Sequence, residues 1–346
     1  MSAYRRILVI RRDNIGDLVL TTPLIHALRE RYPDAWIGAL TNSYNAPVLD
    51  NNPDLNAVYA YDKAKHRPDR SRLTSAAATA RLLLELRRMR IDLAILATPG
   101  YQRQTEALAR WVRAREVLGF TEPGKAAQAL ITLPVEHAGG DQLHVAEDIF
   151  RLLLPLGIQG PPGPCRMTAD TGAHARVAAR LPAGKPVVAV HISARRPRQQ
   201  WAAERFAQLI RALHQRSACA VLLLWAPGAA DDTRHPGDDA KAAEVQRLTG
   251  DAVPLLALPT TSLRELAAAL DCCDLMVCAD GGAMHVAAAL GKPVAALFGD
   301  SPVSRWRPWG VPCEVIEAPG GNTMNLPAEP VIAASLALLA RTRENA

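Results

Sequence analysis

The chain reads as an α/β protein made of two doubly wound domains in tandem, and three features of the sequence say so. Short apolar runs of strand length alternate with helix-forming stretches almost from end to end, the pattern of parallel sheets covered by helices on both faces. The alternation breaks once, over residues 157–186, where GIQGPPGP and LPAGKP replace periodic apolar residues with turn formers. The 346 residues exceed one ordinary core and suit two. The domains are accordingly set at residues 1–165 and 166–327, with 328–346 as a closing helix.

In the first half, residues 7–10 form the opening strand and 11–17 a loop. Thr22 then caps a helix whose first position is Pro23 and which runs to about Arg31. Pro33 and Asp34 turn the chain into a strand over 36–40, followed by a helix from about Tyr44 and a strand over 58–61. Helix 73–90, strand 93–97, helix 102–113, strand 117–119 and helix 144–156 complete this half. Beyond the break come strand 187–191, helix 202–216, strand 220–225 and helix 239–248. A strand over 253–256 and a helix over 263–270 follow, and the last helix spans 328–341. Between them lies the stretch that organises the second half, DLMVCADGGAMHVAAALGKPVAALFG over 274–299. It reads as strand, glycine turn, helix and strand, a βαβ unit that winds right-handed in a parallel sheet.

Composition narrows the function. Nearly half of the residues are apolar, yet no apolar run approaches the length of a membrane span. The basic start MSAYRRILVIRRD has an apolar run too short for a signal peptide, so a cytoplasmic protein is expected. Cys272 and Cys273 are adjacent and the other four cysteines are scattered, so reduced thiols are expected and neither a metal site nor a cofactor is called for. The formal charge of +6 is uneven: residues 61–115 hold thirteen Lys or Arg, Lys63 and Lys65 among them, against five acids. That excess suits an anionic partner such as nucleic acid, anionic lipid or a phosphorylated glycan, and equally suits a solvated basic face.

Chemistry is expected where strands end, because ligands of doubly wound sheets bind outside the carboxyl ends of the strands, here in the cleft between the two domains. In the second half, Asp280-Gly281-Gly282 precedes a helix N-terminus, where glycines allow positive φ and free N–H groups favour an anion. His285 falls in the first turn of that helix. A phosphate-bearing ligand and a tight turn with no ligand both fit this spacing. The stretch His191-Ile-Ser193-Ala-Arg195-Arg196-Pro-Arg198-Gln199-Gln200-Trp201 offers a second phosphate contact or a basic surface loop. In the first half, Arg11, Arg12, Asp13, Asn14, Gly16 and Asp17 follow the opening strand. A single glycine there removes the dinucleotide fingerprint. Asp17 or Asp13 can accept a proton from an attacking hydroxyl, and either fits an ion pair or a helix-terminal charge as well.

Three segments carry a resemblance: NIGDLVLTTPLIHAL from Asn14, WAAERFAQL from Trp201 and DGGAMHVAAALGKPVAALFG from Asp280. In order and spacing they resemble glycosyltransferase family 9, the bacterial lipopolysaccharide heptosyltransferases. The resemblance implies a GT-B fold, two Rossmann-like domains facing a central cleft. It implies inverting, metal-independent transfer of a sugar, most typically heptose from ADP-heptose, to the inner core of lipopolysaccharide. A sugar-nucleotide epimerase or hydrolase, or a sugar-nucleotide-binding relic, is the alternative on the same plan. Carried over residue by residue, Asp17 matches the general base. Ser193, Arg195, Arg198, Asp280, Gly281, Gly282 and His285 fall on the donor side, and Arg11, Asn14, Lys63 and Lys65 are expected at the acceptor. The implied partners are a nucleotide-sugar and an anionic lipopolysaccharide-type acceptor, with peripheral contact at the cytoplasmic face of the inner membrane and no nucleic acid. One departure stands out: members of the family usually carry a Lys shortly before the tryptophan, where this chain has Gln199 and Gln200, leaving Arg198, Arg195 or Arg196 to meet the phosphates. The acidic residue usual after the next strand is Asp231 or Asp232.

Overall fold

The computed structural model describes residues 4–62, 72–122, 130–137, 142–232 and 236–344. The chain divides into two compact units, Met1–Met167 and Thr168–Ala346.

In unit 1 the elements run β1 (Arg6–Ile10), α1 (Ile15–Val19), α2 (Thr22–Arg31), β2 (Trp36–Asn42), β3 (Ala57–Tyr61) and α3 (Arg72–Arg88). They continue with β4 (Leu93–Leu96), α4 (Arg103–Val112), β5 (Glu116–Thr121), β6 (Leu133–Glu136) and α5 (Val145–Phe150). The strands form one parallel sheet in the order β3-β2-β1-β4-β5-β6. Ile7, Leu8, Val9 and Ile10 are buried on both faces, as a central parallel strand requires. Leu8, Ile10, Leu86, Leu96, Ala109 and Val112 pack α3 and α4 against one face.

Unit 2 repeats the plan: α6 (Thr171–Ala178), β7 (Val187–His191), α7 (Ala203–Ser217), β8 (Ala220–Trp225), α8 (Asp239–Thr249) and β9 (Leu255–Pro259). Then come α9 (Leu263–Asp271), β10 (Leu275–Ala279), α10 (Gly282–Ala289), β11 (Val294–Phe298), α11 (Val303–Trp306), β12 (Cys313–Glu317) and α12 (Ala328–Glu344). The sheet is again parallel, in the order β12-β11-β10-β7-β8-β9. Each sheet therefore reverses its winding once, between β1 and β4 and between β7 and β10. These are the switch points at which such sheets open a crevice for a ligand. Among the described residues no helix is long and apolar enough to cross a membrane.

Several elements differ from the sequence expectation for identifiable reasons. The helix expected from Tyr44 is only a 3₁₀ turn, Ala46–Leu49. The Asn42 side chain accepts the N–H groups of Tyr44 and Asn45 (3.1 and 3.3 Å), and Pro47 lacks the donor a longer helix needs. The helix expected over 144–156 is α-helical only to Phe150 and then 3₁₀ over Arg151–Leu156, around Pro155. Part of the loop expected over 11–17 is helix α1, and α2 starts behind Thr21 as N-cap, one residue earlier than expected. The edge strands β6 and β12 escape an apolar-run search because Glu314 and Glu317 interrupt β12, and Pro134, which a strand tolerates at an edge, interrupts β6.

Trp201 is the largest fully buried side chain, set edge-on to Phe206 at 4.8 Å between ring centroids, with Nε1–H donating to the Leu326 carbonyl at 2.8 Å. It ties the start of α7 to the segment that leads into α12. Replacing it by alanine should lower unfolding free energy by about 3–5 kcal/mol through the cavity it leaves. Chemical denaturation followed by the unit 2 transition checks this, and a loss below about 1 kcal/mol would show that the anchor is dispensable.

Candidate active site

Each unit gathers polar groups at its own switch point. In unit 1 the hub is Arg11, the residue after β1, whose side chain is only 1% exposed. Its Nη1 donates to the carbonyl of Ala97, at the end of β4, and its Nη2 to Asp17 Oδ1 at 2.8 Å. Its Nε lies 3.3 Å from Asp13 Oδ2. One guanidinium thus joins the ends of the two central strands to both candidate carboxylates. Asp17 is itself buried, in the first turn of α1, where Oδ2 accepts the Asn14 N–H (3.0 Å) and the Asn14 amide (3.2 Å). Asp13 is more open, with 26% of its side chain exposed, and the Gln102 amide approaches its Oδ1 at 3.5 Å. The amides of Asn42 and Asn45 hold the Asp13 carbonyl at 3.3 and 3.1 Å, fixing the loop from behind.

The structure gives Arg11 a different task from the acceptor contact expected of it, since all three of its nitrogens face inward. Asn14 remains exposed. Arg12 instead reaches outward to the Tyr61 hydroxyl (2.9 Å) and the Gln104 amide oxygen (2.6 Å). Burial pushes the Tyr61 phenol above its ordinary pKa even with Arg12 beside it. Lys63 and Lys65 lie outside the described residues.

In unit 2 the ends of β7, β10 and β11 converge on Gln199. Its Nε2 donates to Asp280 Oδ2 at 2.9 Å and to Ser301 Oγ at 3.1 Å. Burial raises the Asp280 carboxyl above its ordinary range and nearby Asp300 adds to this; the Ser301 hydrogen bond and Arg196 act against them. Gly281 is the N-cap of α10 with φ 165°, extended backbone, and Gly282 opens the helix. The positive φ expected of these glycines is therefore absent. A Cβ on Gly281 would meet nothing within 4 Å, and no side chain caps the start of α10. His285 is buried in the same helix and meets Trp306 of α11 edge-on, with ring centroids 6.3 Å apart.

Ser193 Oγ accepts the Ala226 N–H at 2.9 Å, holding the end of β7 to the loop after β8. Lys241 of α8 donates to the Ile192 carbonyl at 2.9 Å and lies over the Phe206 ring. Burial pushes its pKa down, and burial first, then Lys241, pushes His191 down to about 4. Arg195, Arg196 and Arg198 are exposed. Their loop is pinned underneath: a Cβ on Gly299 would stand 2.6 Å from the Arg198 carbonyl, and Thr323 Oγ1 donates to the carbonyls of Arg198 (3.2 Å) and Gln200 (2.8 Å). Of the three arginines, Arg196 is the one whose field reaches Asp280.

After β8, Asp239 orders the loop by accepting from Trp225 Nε1 (2.7 Å) and the Gly228 N–H (2.9 Å), bonds that lower its pKa. Asp231 and Asp232 are exposed on that loop. The sequence reading missed Gln199, Ser301 and Arg196 as a group. The signal available was the strand-end rule applied to β11, whose exit reads Gly299-Asp300-Ser301. Among the described residues no three His, Cys, Asp or Glu side chains gather as a metal site.

Chemically, unit 1 presents a fixed carboxylate beside an open one, and unit 2 a helix start suited to an anion, flanked by a buried acid and an arginine loop. Known proteins resemble this chain in sequence and in fold. Over 327 residues the chain is 29% identical to lipopolysaccharide heptosyltransferase 3 of Escherichia coli K12, covering 90% of this chain and 87% of that one. Its fold matches the glycosyl transferase family 9 structure from Veillonella parvula with a TM-score of 0.82 at 20% identity, over 99% of both chains. It matches the ADP-heptose lps heptosyltransferase II structure of E. coli with a TM-score of 0.75 at 20% identity, over 99% of this chain and 100% of that one. The fold class is GT-B. Residues 79–329 match the family described as Glycosyltransferase family 9 (heptosyltransferase), so this glycosyltransferase chain belongs to that family.

Proposed function

We propose that the protein transfers heptose from ADP-heptose to the inner core of lipopolysaccharide, with inversion and without a metal ion, at the cytoplasmic face of the inner membrane. The observation that carries this reading is the uncapped start of α10 at the switch point of unit 2, with Asp280, Gln199 and Arg196 around it. The donor diphosphate sits on the first N–H groups of α10, with the Ser193 hydroxyl and Arg196 as further donors. Asp280 and His285 flank the sugar. The 29% relative, a lipopolysaccharide heptosyltransferase by name, supports the choice of sugar and acceptor.

In the reaction an acceptor hydroxyl attacks the anomeric carbon, the bond to the diphosphate oxygen breaks, and ADP leaves. Asp17 takes the hydroxyl proton, held in place by Arg11 and Asn14. Charge on the leaving diphosphate is met by groups already in position, so little reorganisation is needed as it develops. Asn14, Lys63 and Lys65 serve the anionic acceptor. Mixing protein, ADP-heptose and a truncated core lipid should yield the heptosylated lipid and ADP. Donor hydrolysis alone, or binding without turnover, would defeat the reading.

Gln199 stands where a lysine would meet both Asp280 and the phosphates, so the cation must come from the loop. Because Arg196 is the arginine whose charge acts on Asp280, it takes the contact expected of Arg198 in this reading. Arg196→Ala should weaken ADP binding by about tenfold or more, on the order of 1.5–3 kcal/mol for a charge-assisted contact, and Arg198→Ala should leave it nearly unchanged. Isothermal titration, repeated with EDTA present, reads both the affinity and the expected indifference to metal removal. Equal effects from the two variants would sink the assignment.

Asp17→Asn keeps the shape and removes the base, so turnover should fall by roughly 10²–10⁴ with donor affinity little changed. The loss of the Arg11 ion pair should also lower the melting temperature. Turnover is therefore compared at a temperature where both proteins are folded, beside Asp13→Asn. If the Asp13 variant loses far more turnover than the Asp17 variant, the more open carboxylate is the base.

A further inference from the structure

A second feature of unit 1 lies away from its strand ends. Helix α3 packs on α4, and a cavity of about 630 Å³ opens between them beside β3, its wall formed largely by Ala76, Ala80, Leu83, Leu84, Arg87 and Trp111. A surface helix ordinarily turns charged residues to water. Here Ala76, Ala77, Ala78 and Ala80 are exposed along the first half of α3, Leu84 is 47% exposed and Trp111 is 63% exposed. A half-exposed leucine beside an exposed tryptophan, both at the edge of an apolar cavity, makes a patch that water alone does not stabilise.

Charge around this patch is mostly positive, with Asp62 in the cavity wall and Glu85 on α3 as the acidic exceptions. Arg81, Arg87 and Arg88 on α3, Arg103 and Arg110 on α4, and Arg90, Arg113 and Arg115 just beyond the two helices are all exposed. The acids on the two helices are Glu85, which is exposed, and Glu106, which is 2% exposed and bonded by the Tyr101 hydroxyl. The apolar centre with an arginine border excludes two of the occupants a basic surface could take. A second copy docked symmetrically would bring arginine rows against one another. A nucleic-acid strand needs a series of aromatic platforms, and Trp111 is the one exposed ring in the cavity wall.

We infer that this α3–α4 face seats the protein on an anionic phospholipid bilayer, with Trp111 and Leu84 entering the headgroup layer and the arginines meeting lipid phosphates. Tryptophan prefers that layer because its ring is apolar and its N–H polar. Arginine pairs with phosphate through a fixed fork of donors. Attraction of this kind combines apolar burial with surface charge and needs no spanning segment. The inference rests on the proposed lipid-linked acceptor for its purpose, and its test requires no transfer.

The test is flotation of the full chain with vesicles of phosphatidylcholine alone and of phosphatidylcholine with phosphatidylglycerol. The protein should float with the anionic vesicles and not with the neutral ones, and added salt should release it. Trp111→Ala and Leu84→Glu should each lower partitioning roughly tenfold, and Arg81→Glu with Arg88→Glu at least as much, roughly fivefold for each charge lost. ADP binding, read by titration, should stay unchanged in all of them, which also shows that they fold. Vesicle binding as expected without sugar transfer would overturn only the proposed function. Absence of binding to anionic vesicles, wild-type binding by the variants, or a concentration-dependent dimer abolished by Leu84→Glu would overturn the membrane assignment.

Discussion

Taking a guanidinium out of water costs several kcal/mol, and a protein keeps one buried only where opposite charge and hydrogen bonds offset that cost. Arg11 meets the condition through two carboxylates and the Ala97 carbonyl, and the first site depends on it. Without it, Asp17 and Asp13 would repel across a short loop, and the exits of β1 and β4 would lose their link. The arginine keeps two acidic groups a few ångströms apart in a loop that would otherwise open into solvent. Its own inward position then leaves the outward-facing work to Arg12 and Asn14.

Unit 2 solves the same geometric problem with a neutral group. The Gln199 amide spans Asp280 and Ser301, joining the exits of β10 and β11 to the loop after β7. An amide orients a carboxylate without adding charge, so Asp280 stays under the influence of its burial. Lys241, half-buried, is directed at the Ile192 carbonyl and the Phe206 ring, and it supports the loop from below. The exposed positive charge on this loop is that of Arg195, Arg196 and Arg198.

Most of the fold was legible because central parallel strands have to be apolar on both faces. Residues 7–10, 93–96, 187–191, 275–279 and 294–298 all announced themselves in this way, and the glycine turn after Ala279 fixed the order of strand, helix and strand. Edge strands carry no such requirement, so β6 and β12 were silent. The asparagine turns at residues 42–45 compete with a helix that composition favours, and only their hydrogen bonds decide the outcome. For the candidate site, strand-end position pointed to Asp17, Ser193 and Asp280. What composition could not supply was the direction of each side chain. Arg11 and Gln199 look like surface residues in a polar loop, and both are buried bridges.

The pinned loop over residues 194–201 has a thermodynamic consequence. Its backbone is fixed at Arg198 and Gln200 by Thr323, against Gly299 by contact, and at Gln199 through its own amide. Ordering a free backbone costs about 1–2 kcal/mol per residue, whereas ordering one long side chain costs about 1.5–2 kcal/mol. A ligand that gathers these arginines therefore meets a loop whose backbone entropy was already given up when the chain folded. Only the guanidinium-bearing side chains remain to be stilled, so the loop can hold an anion firmly and still exchange it as each side chain lets go on its own.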